Sequence, residues 1–381
     1  MLYQAAELDA RDIEVIAQLH AGHDALRRQS ALPKRWSGGL RQQLWSQSIK
    51  GSNTIEGYHV TDAQALAIVN DLSQADSTDA NVKAVTSYKH AMDYVLTQIA
   101  DPSFAWHPSV VKAMHHIMLS YDQSKHPGLF RRGQIFVLDE QTQDTVYEGA
   151  PWEDVSPLVS TLVAGIAANH EIDPYVNAAM AHLNLVLIHP FSDGNGRMSR
   201  ALQTLVLGRS RIADPEQLSI EEWLGSNTSD YYAALQKVGQ GTWSPHSDTL
   251  LWIRFNLRAH ALQLGRVQQR IKQANEIWSG IEEALAEVNV ADRCADSLQR
   301  VAYGVELRRA DHVALTGVDE RTATRDFHAL AKSGLVVQHG ATRGAFYTAG
   351  PTLQQLLSEH RHPARSAVPD PYPDLRTELY R

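Results

Sequence analysis

The 381-residue chain has one cysteine, Cys294, which excludes an intrachain disulfide and a cysteine-based zinc cluster and makes a reducing cytosol the expected compartment. It has no apolar run near the roughly 20 residues that a membrane-crossing helix needs. The opening "MLYQAAELDARDIE" is too polar and acidic for a signal peptide. Positive charge is not in excess: the formal net charge is −8, against a chain coated in nucleic acid or bound to an anionic membrane. There is no GxxxxGK[ST] loop, no kinase catalytic loop, no HExxH and no CxxC. The 18 histidines include the pairs His115/His116 and His360/His362, which lack partners at ligand spacing and are expected to be structural or solvated. Trp36, Trp45 and Trp152 read as core or rim packing.

What is present is a soluble globular composition, 43% hydrophobic and 20% charged, long enough for two or three domains. The expected fold is mainly α. Apolar residues recur at helical spacing through most of the chain. A short helix is expected from about Arg41, and Thr61 is a plausible N-cap for "TDAQALAIVNDL". "GQIFVLDEQTQDTVYEGAP" breaks the pattern with two short β-prone runs around a polar centre, predicting a hairpin over 133–148. "YVNAAMAHLNLVLI" is almost wholly apolar and predicts a central buried helix. Its end carries the densest chemistry of the chain, "HPFSDGNGRMSR".

In that stretch Pro190 ends the helix and Phe191 is an apolar plug. Gly194 and Gly196 let successive backbone N–H groups face one point, at the start of a helix expected near Arg197. Unpaired N–H groups and the helix dipole attract an anion there. Arg197 and Arg200, three apart, share one face and suit phosphate oxygens. Asp193, beside a polyphosphate, suits Mg²⁺ (or Mn²⁺). Asn195 either binds phosphate or holds the loop. His189 is the general-base candidate. Taken together, the residues point to nucleotidyl or phosphoryl transfer.

"HPFSDGNGRMSR" matches in full the motif HPFx[DE]GNGRxxR, so the chain resembles the Fic family. The resemblance implies a Fic-type helical core with a hairpin flap, using ATP to place AMP on a Ser, Thr or Tyr hydroxyl of a target protein or of itself. His189 would deprotonate the hydroxyl and Asp193 would hold the metal. Gly194, Asn195 and Gly196 would form the anion hole, and Arg197 and Arg200 would grip the β- and γ-phosphates. "PGLFRRGQIFV" resembles the family's flap, with Ile135, Phe136, Val137 and Leu138 as the strand that docks the target. "SDYYAAL" resembles the segment closing the nucleotide pocket, with Tyr231 and Tyr232 on the adenine side. The same loop would also serve transfer of another nucleotide or phosphate group, or removal of AMP. Some relatives dimerise, and a homodimer is an open expectation.

Upstream, "SNTIEG" matches the family's inhibitory pattern [ST]xxxE[GN]. Its bland reading is a helix end, with Glu56 solvated and Gly57 a C-cap. On the regulatory reading Glu56 pairs with Arg200 and competes with the γ-phosphate. Ser52 then hydrogen-bonds near the anion hole, and Glu56 can also serve as a hydrolytic base.

The segment "LRRADHVALTGVDERTATRDFHALAKSGLVVQHGATRGAFYTAG" reads as helix, turn, helix and hairpin, and resembles a winged helix. Arg321, Thr322, Thr324 and Arg325 would form a DNA-reading face. Residues 296–350 hold only seven basic side chains against six acidic ones, a weak footprint for phosphate. Dimerisation or protein docking is the alternative, and a DNA-binding regulator with a nucleotide-sensing core is the rival to an enzyme. The expected organisation is an N-terminal helical region over 1–104, a catalytic core over 105–266, a linker helix over 267–295, the winged helix over 296–350 and a poorly ordered tail over 351–381.

Overall fold

The computed structural model describes residues 1–30, 34–71, 78–139, 142–169, 171–212, 214–341, 344–360 and 368–381. It is mainly helical. The N-terminal region holds α1 (Ala10–Ser30), α2 (Ser37–Ile55), α3 (Asp62–Val69) and α4 (Ala80–Ala100). Thr61 caps α3 as its sequence suggests: its hydroxyl accepts from Gln64 N–H, and the Gln64 side chain accepts from Thr61 N–H. Helix α2 begins at Ser37, four residues before the expected start at Arg41, because Gly38 and Gly39 are absorbed into its first turn. Trp36 and Trp45 are buried, whereas Trp152 is exposed.

The core follows with α5 (Pro108–Met118), the hairpin β1 (Phe136–Leu138) and β2 (Thr145–Glu148), α6 (Val155–Ala168), α7 (Pro174–Ile188) and α8 (Asn195–Arg209). Short helices α9 (Pro215–Leu218) and α10 (Glu221–Ser226) lead to α11 (Thr228–Gly239) and α12 (Leu250–Glu287). Helix α7 starts at Pro174 with Asp173 as N-cap, and from Ala178 to Ile188 every residue is buried. That continuous burial is what an apolar run without a polar face produces. Helix α8 packs beside α7, and its own buried set includes Arg197 and Arg200.

Helices α2 and α10 approach closely. A Cβ on Gly51 would lie 2.4 Å from the Glu221 backbone oxygen, and one on Gly225 would lie 2.8 Å from Gly51 Cα. This pair of glycines brings the backbone of α2 down onto the core, directly over the N-terminal half of α8.

Two expectations about the C-terminal part need correction. The division at 266/267 falls inside α12, which is one continuous 38-residue helix, because its apolar face stays buried past the boundary at Val267, Ala274, Ile277, Trp278, Ile281 and Leu285. The tail is packed in its described parts. Residues Pro351–His360 form α16, with Leu353 and Leu357 buried, and Leu375–Leu379 form α17, with Tyr372, Leu375 and Leu379 buried. Arg258 pairs with Asp370 at 2.7 Å, and the Tyr372 hydroxyl donates to Asp12 at 2.8 Å. Proline and charge in this tail mask five buried apolar anchors, which hold its two short helices against the rest of the chain. Residues 361–367, including His362, lie outside the described residues.

Between them lie α13 (Ala295–Ala302), β3 (Leu307–Arg308), α14 (Arg309–Thr316), α15 (Glu320–Lys332), β4 (Val336–His339) and β5 (Phe346–Ala349). The three strands form an antiparallel sheet in the order β3-β5-β4. Gly317 takes φ +70° in the turn between α14 and α15, and Asp319 caps α15 through Thr322 N–H.

Candidate active site

The loop after α7 is fixed from several sides. His189 terminates α7 in the left-handed region at φ 53°, a C-cap for which glycine is the usual residue. Its Nδ1 lies 3.0 Å from the Val186 carbonyl oxygen. A carbonyl can only accept, so Nδ1 carries the proton and Nε2 keeps its lone pair. Burial pulls the imidazole down to about 4, leaving it neutral near neutral pH. Phe191 is fully buried and stacks on the His115 ring at 3.6 Å between centroids. His115 accepts from Gly128 N–H at Nδ1, so its Nε2–H donates to the Asp193 carbonyl at 3.0 Å. Asn195 answers its two-way expectation by holding the loop: its side chain both accepts from Phe191 N–H and donates to Phe191 C=O, each at 2.9 Å.

Gly194 is the N-cap of α8 at φ +75°, so the helix starts at Asn195, two residues earlier than expected. The first α8 backbone bond runs from Met198 N–H to the Gly194 carbonyl. The N–H groups of Asn195, Gly196 and Arg197 therefore have no intrahelical partner, as at any helix start. An anion at this point would meet three N–H donors and the positive end of the helix dipole.

Both arginines are buried, as their shared helix face requires. Arg197 has Nε and Nη1 buried without a hydrogen-bond partner, while its guanidinium lies 4.8 Å from the centre of the Tyr58 ring. A buried guanidinium with unmet donors is an unfilled demand for an acceptor. Arg200 has its demand met by α2. Its Nε donates to Ser52 Oγ at 2.8 Å, and its Nη2 donates to the Ser52 carbonyl at 2.9 Å and to Glu56 Oε1 at 2.8 Å. Burial opposes the Arg200 charge, but Glu56 leads the groups that outweigh it and raise its pKa. A Cβ built on Gly196 would sit 2.3 Å from Glu56 Oε1. The Glu56 carboxylate thus lies against Gly196, in the first turn of α8. Gly57 follows at φ +78° and lets the chain turn away from α2.

The Asp193 carboxylate faces Lys125, whose Nζ is 2.6 Å from Oδ2. Burial pushes the Asp193 carboxyl up, but Lys125 and Arg197 outweigh it and hold the group below its ordinary range. An ionised oxygen donor that already faces one cation, beside a helix N-terminus, fits a hard divalent ion that takes one carboxylate and completes its shell with phosphate and water.

The hairpin forms at the expected place, over β1 and β2. Ile135 lies just outside the strand, because its register pairing ends at Phe136, although its carbonyl still accepts from Gly149 N–H at 3.1 Å. Phe136 and Leu138 present exposed apolar side chains, 52% and 47% accessible, and Val137 is half-buried. Tyr231 is not on an open adenine face. It is buried among Trp252 and Phe255, with its hydroxyl 3.0 Å from His182 Nε2 and 3.5 Å from Arg200 Nη1. The apolar face of α11 points inward, and Tyr231 is on it. Tyr232, one residue on, is exposed and donates to the Ile55 carbonyl at 3.0 Å. Arg321, Thr324 and Arg325 are exposed on α15, whereas Thr322 is half-buried and engaged with the cap residue Asp319.

Four residues of the site carried no assignment in the sequence. Arg131 donates from Nε to the His189 carbonyl at 2.7 Å, from Nη1 to Gly133 and from Nη2 to Ala150 and Ile188. It fastens the hairpin to the loop after α7. Lys125 joins Asp193 to Tyr58 Oη, 3.0 Å away. Tyr88 and Glu221 continue the hydrogen bonding behind Ser52. Arg131 lies within a family-like stretch that could have marked it. The others meet across 36 to 133 residues and leave no local signature.

Comparison with known proteins agrees with this geometry. Residues 105–207 match the Fic/DOC family. The chain is 43% identical over 74 residues to protein adenylyltransferase fic-1 of Caenorhabditis elegans, which is 19% of this chain and 13% of that one. It is 26% identical over 220 residues to protein adenylyltransferase Fic of Nematostella vectensis, 57% of this chain and 47% of that one. The chain thus spans less than half the length of either relative. Among solved structures, a Fic family protein from Desulfovibrio desulfuricans G20 superposes with a TM-score of 0.57 at 20% identity, covering 92% of this chain and 99% of that one. Residues 134–508 of C. elegans Fic-1 superpose with a TM-score of 0.53 at 22% identity, covering 68% and 72%. The match to the Fic/DOC family spans residues 105–207 and includes the loop between α7 and α8.

Proposed function

We propose that the protein is an adenylyltransferase that moves AMP from ATP to a hydroxyl of a protein target or of itself, and that Glu56 holds it inactive at rest. One observation carries this reading: Glu56 occupies Arg200 and the Gly196 surface, while neighbouring Arg197 keeps buried donors without an acceptor. The loop is built for a polyanion, and an internal carboxylate fills part of it.

In the active arrangement Glu56 withdraws and the triphosphate tail lies on the N–H groups of Asn195 and Gly196, with Arg197 and Arg200 on its terminal phosphates. His189 Nε2 accepts the proton of the incoming hydroxyl. That oxygen bonds to the α-phosphorus as the bond from the α-phosphorus to the bridging oxygen of pyrophosphate breaks. Asp193 would hold a magnesium or manganese ion, which would add positive charge beside the phosphates. Lys125 must then release Asp193. The exposed edge of β1 pairs with an extended target segment, and Tyr232 borders the adenine. Assignment of 296–350 as a winged helix is part of the proposal, supported by the order of its helices and strands. Its near-neutral charge favours protein docking, between copies of this chain or with another protein, over DNA.

The test is incubation of Glu56→Gly protein with a cell lysate, magnesium and ATP labelled at the α-phosphorus. Labelled protein that disappears in Glu56→Gly/His189→Ala is expected. Label at background in Glu56→Gly with a competent target, or label that survives loss of His189, would contradict the reading.

A further inference from the structure

Behind Arg200 lies a second carboxylate that the proposed reaction does not use. Glu221, at the start of α10, is 2% exposed. Its Oε1 accepts from the Tyr88 hydroxyl at 2.6 Å, and its Oε2 is buried with no hydrogen-bond partner. A buried carboxylate oxygen without a donor calls for an explanation. It borders a small cavity shared with Arg200, Gln203, Thr204, Ser219 and His260.

The hydrogen bonds between Glu221 and Arg200 run in one direction. Arg200 Nε–H donates to Ser52 Oγ at 2.8 Å, Ser52 Oγ–H donates to Tyr88 Oη at 3.0 Å, and Tyr88 Oη–H donates to Glu221 Oε1. Each hydroxyl spends its one proton toward Glu221, so the ionised carboxylate is the terminal acceptor of the chain. This orientation leaves the Ser52 oxygen lone pair aimed at Arg200. We infer that Glu221 is a positioning residue: while ionised, it ties Arg200 to α2 through Tyr88 and Ser52 and so weakens triphosphate binding. The inference rests on the proposed triphosphate site at Arg197 and Arg200.

The surroundings support a charge that changes near neutral pH. Helix α4 presents Tyr88, α8 presents Arg200 with the neutral Gln203 and Thr204, and α2 presents Ser52 and, on the far side of Arg200, Glu56. Helix α12 presents His260, which burial pulls down to about 3 and keeps neutral. Its Gln263 and Arg270 are bound to the neighbouring Glu222 instead. Helix α11 presents Tyr231 to Arg200. Burial raises Glu221 to about 7, against the pull of Tyr88 and Arg200. Protonation removes the negative charge behind Arg200 and weakens the terminal acceptor, and both changes leave the guanidinium freer for phosphate.

The experiment is calorimetric binding of ATP with magnesium to the full chain between about pH 6 and pH 8, for wild type, Glu221→Gln, Tyr88→Phe and Glu56→Gly. The amide oxygen of Gln still accepts from Tyr88, so this variant removes charge and keeps the contact. Near pH 8 Glu221→Gln is expected to bind ATP at least about threefold tighter than wild type, half a pKa unit of differential interaction. The ratio should shrink toward one near pH 6, where wild-type Glu221 is protonated. Titration of the nucleotide cancels in that ratio. Tyr88→Phe, which cuts the chain and leaves the charge, should shift binding in the same direction and is decisive if Glu221→Gln does not fold. Equal affinities at every pH, or a weakening that is the same at every pH, would overturn the inference. If Glu56→Gly binds ATP and the other two variants follow wild type, this inference alone fails. If no variant binds ATP, the triphosphate site fails and takes the inference with it.

Discussion

Arg131 shows how much one side chain can hold. It satisfies carbonyls of Gly133, Ala150, Ile188 and His189, joining both ends of the flap to the end of α7. Its replacement by Met keeps length and loses every donor. Ala150, Ile188 and His189 are buried or half-buried, so freeing their carbonyls is expected to cost about 2–4 kcal/mol in unfolding free energy, read by chemical denaturation. Transfer should fall further than stability alone explains, because His189 loses its backbone support. Glu56→Gly should act oppositely, raising transfer at least about tenfold by freeing Arg200, the effect of about 1.4 kcal/mol of lost competition. This part of the site was legible early: His189, Asp193, the glycines, the arginines and Glu56 lie within two short motifs. Tyr231 was not, because two adjacent tyrosines on a helix point in different directions and only packing shows which one is inward. Lys125 and Glu221 were not, because their partners come from distant segments.

At the scale of elements, the proposed inhibition depends on α2 lying close to α10. The contact is made by Gly51 and Gly225, and a methyl group at either meets backbone within 2.8 Å. Backbone cannot move aside as a side chain can, so Gly225→Ala should push α2 outward. The expected outcome is raised transfer in the presence of an intact Glu56, together with a lower melting temperature. Transfer unchanged from wild type in a folded Gly225→Ala protein would mean that the α2 position does not set the inhibition. Helices were legible from their apolar spacing, and α7 from the absence of a polar face. Their ends were less so. Gly194 starts α8 two residues early because a left-handed glycine serves as the cap. The glycines before Arg41 failed to delay α2 because flanking packing at Trp36 and Leu40 outweighs their propensity.

At the scale of the whole molecule, the histidines make the fold acid-sensitive. Burial lowers His23, His115 and His189 to about 4, and His182 and His260 to about 3. The unfolded chain binds these protons near 6.5 and the folded chain does not, so their contribution is complete above 6.5 and is lost as pH falls toward 4. Denaturation followed by circular dichroism should show stability dropping steeply across that window, with several protons taken up per molecule unfolded. A flat profile would contradict the burial assigned to these rings. The C-terminal residues belong to the same body, since Tyr372 and Asp370 reach α1 and α12. Composition hid that packing, as it hid the continuity of α12 across the expected linker.

The reaction itself is tested most directly by the fate of each phosphorus atom. Glu56→Gly protein is supplied with magnesium, a target lysate and ATP labelled at either the α- or the γ-phosphorus. The account predicts that α-label becomes covalently bound to protein in a His189-dependent manner while γ-label leaves in pyrophosphate. Retention of γ-label on protein, or release of both labels without protein modification, would contradict it.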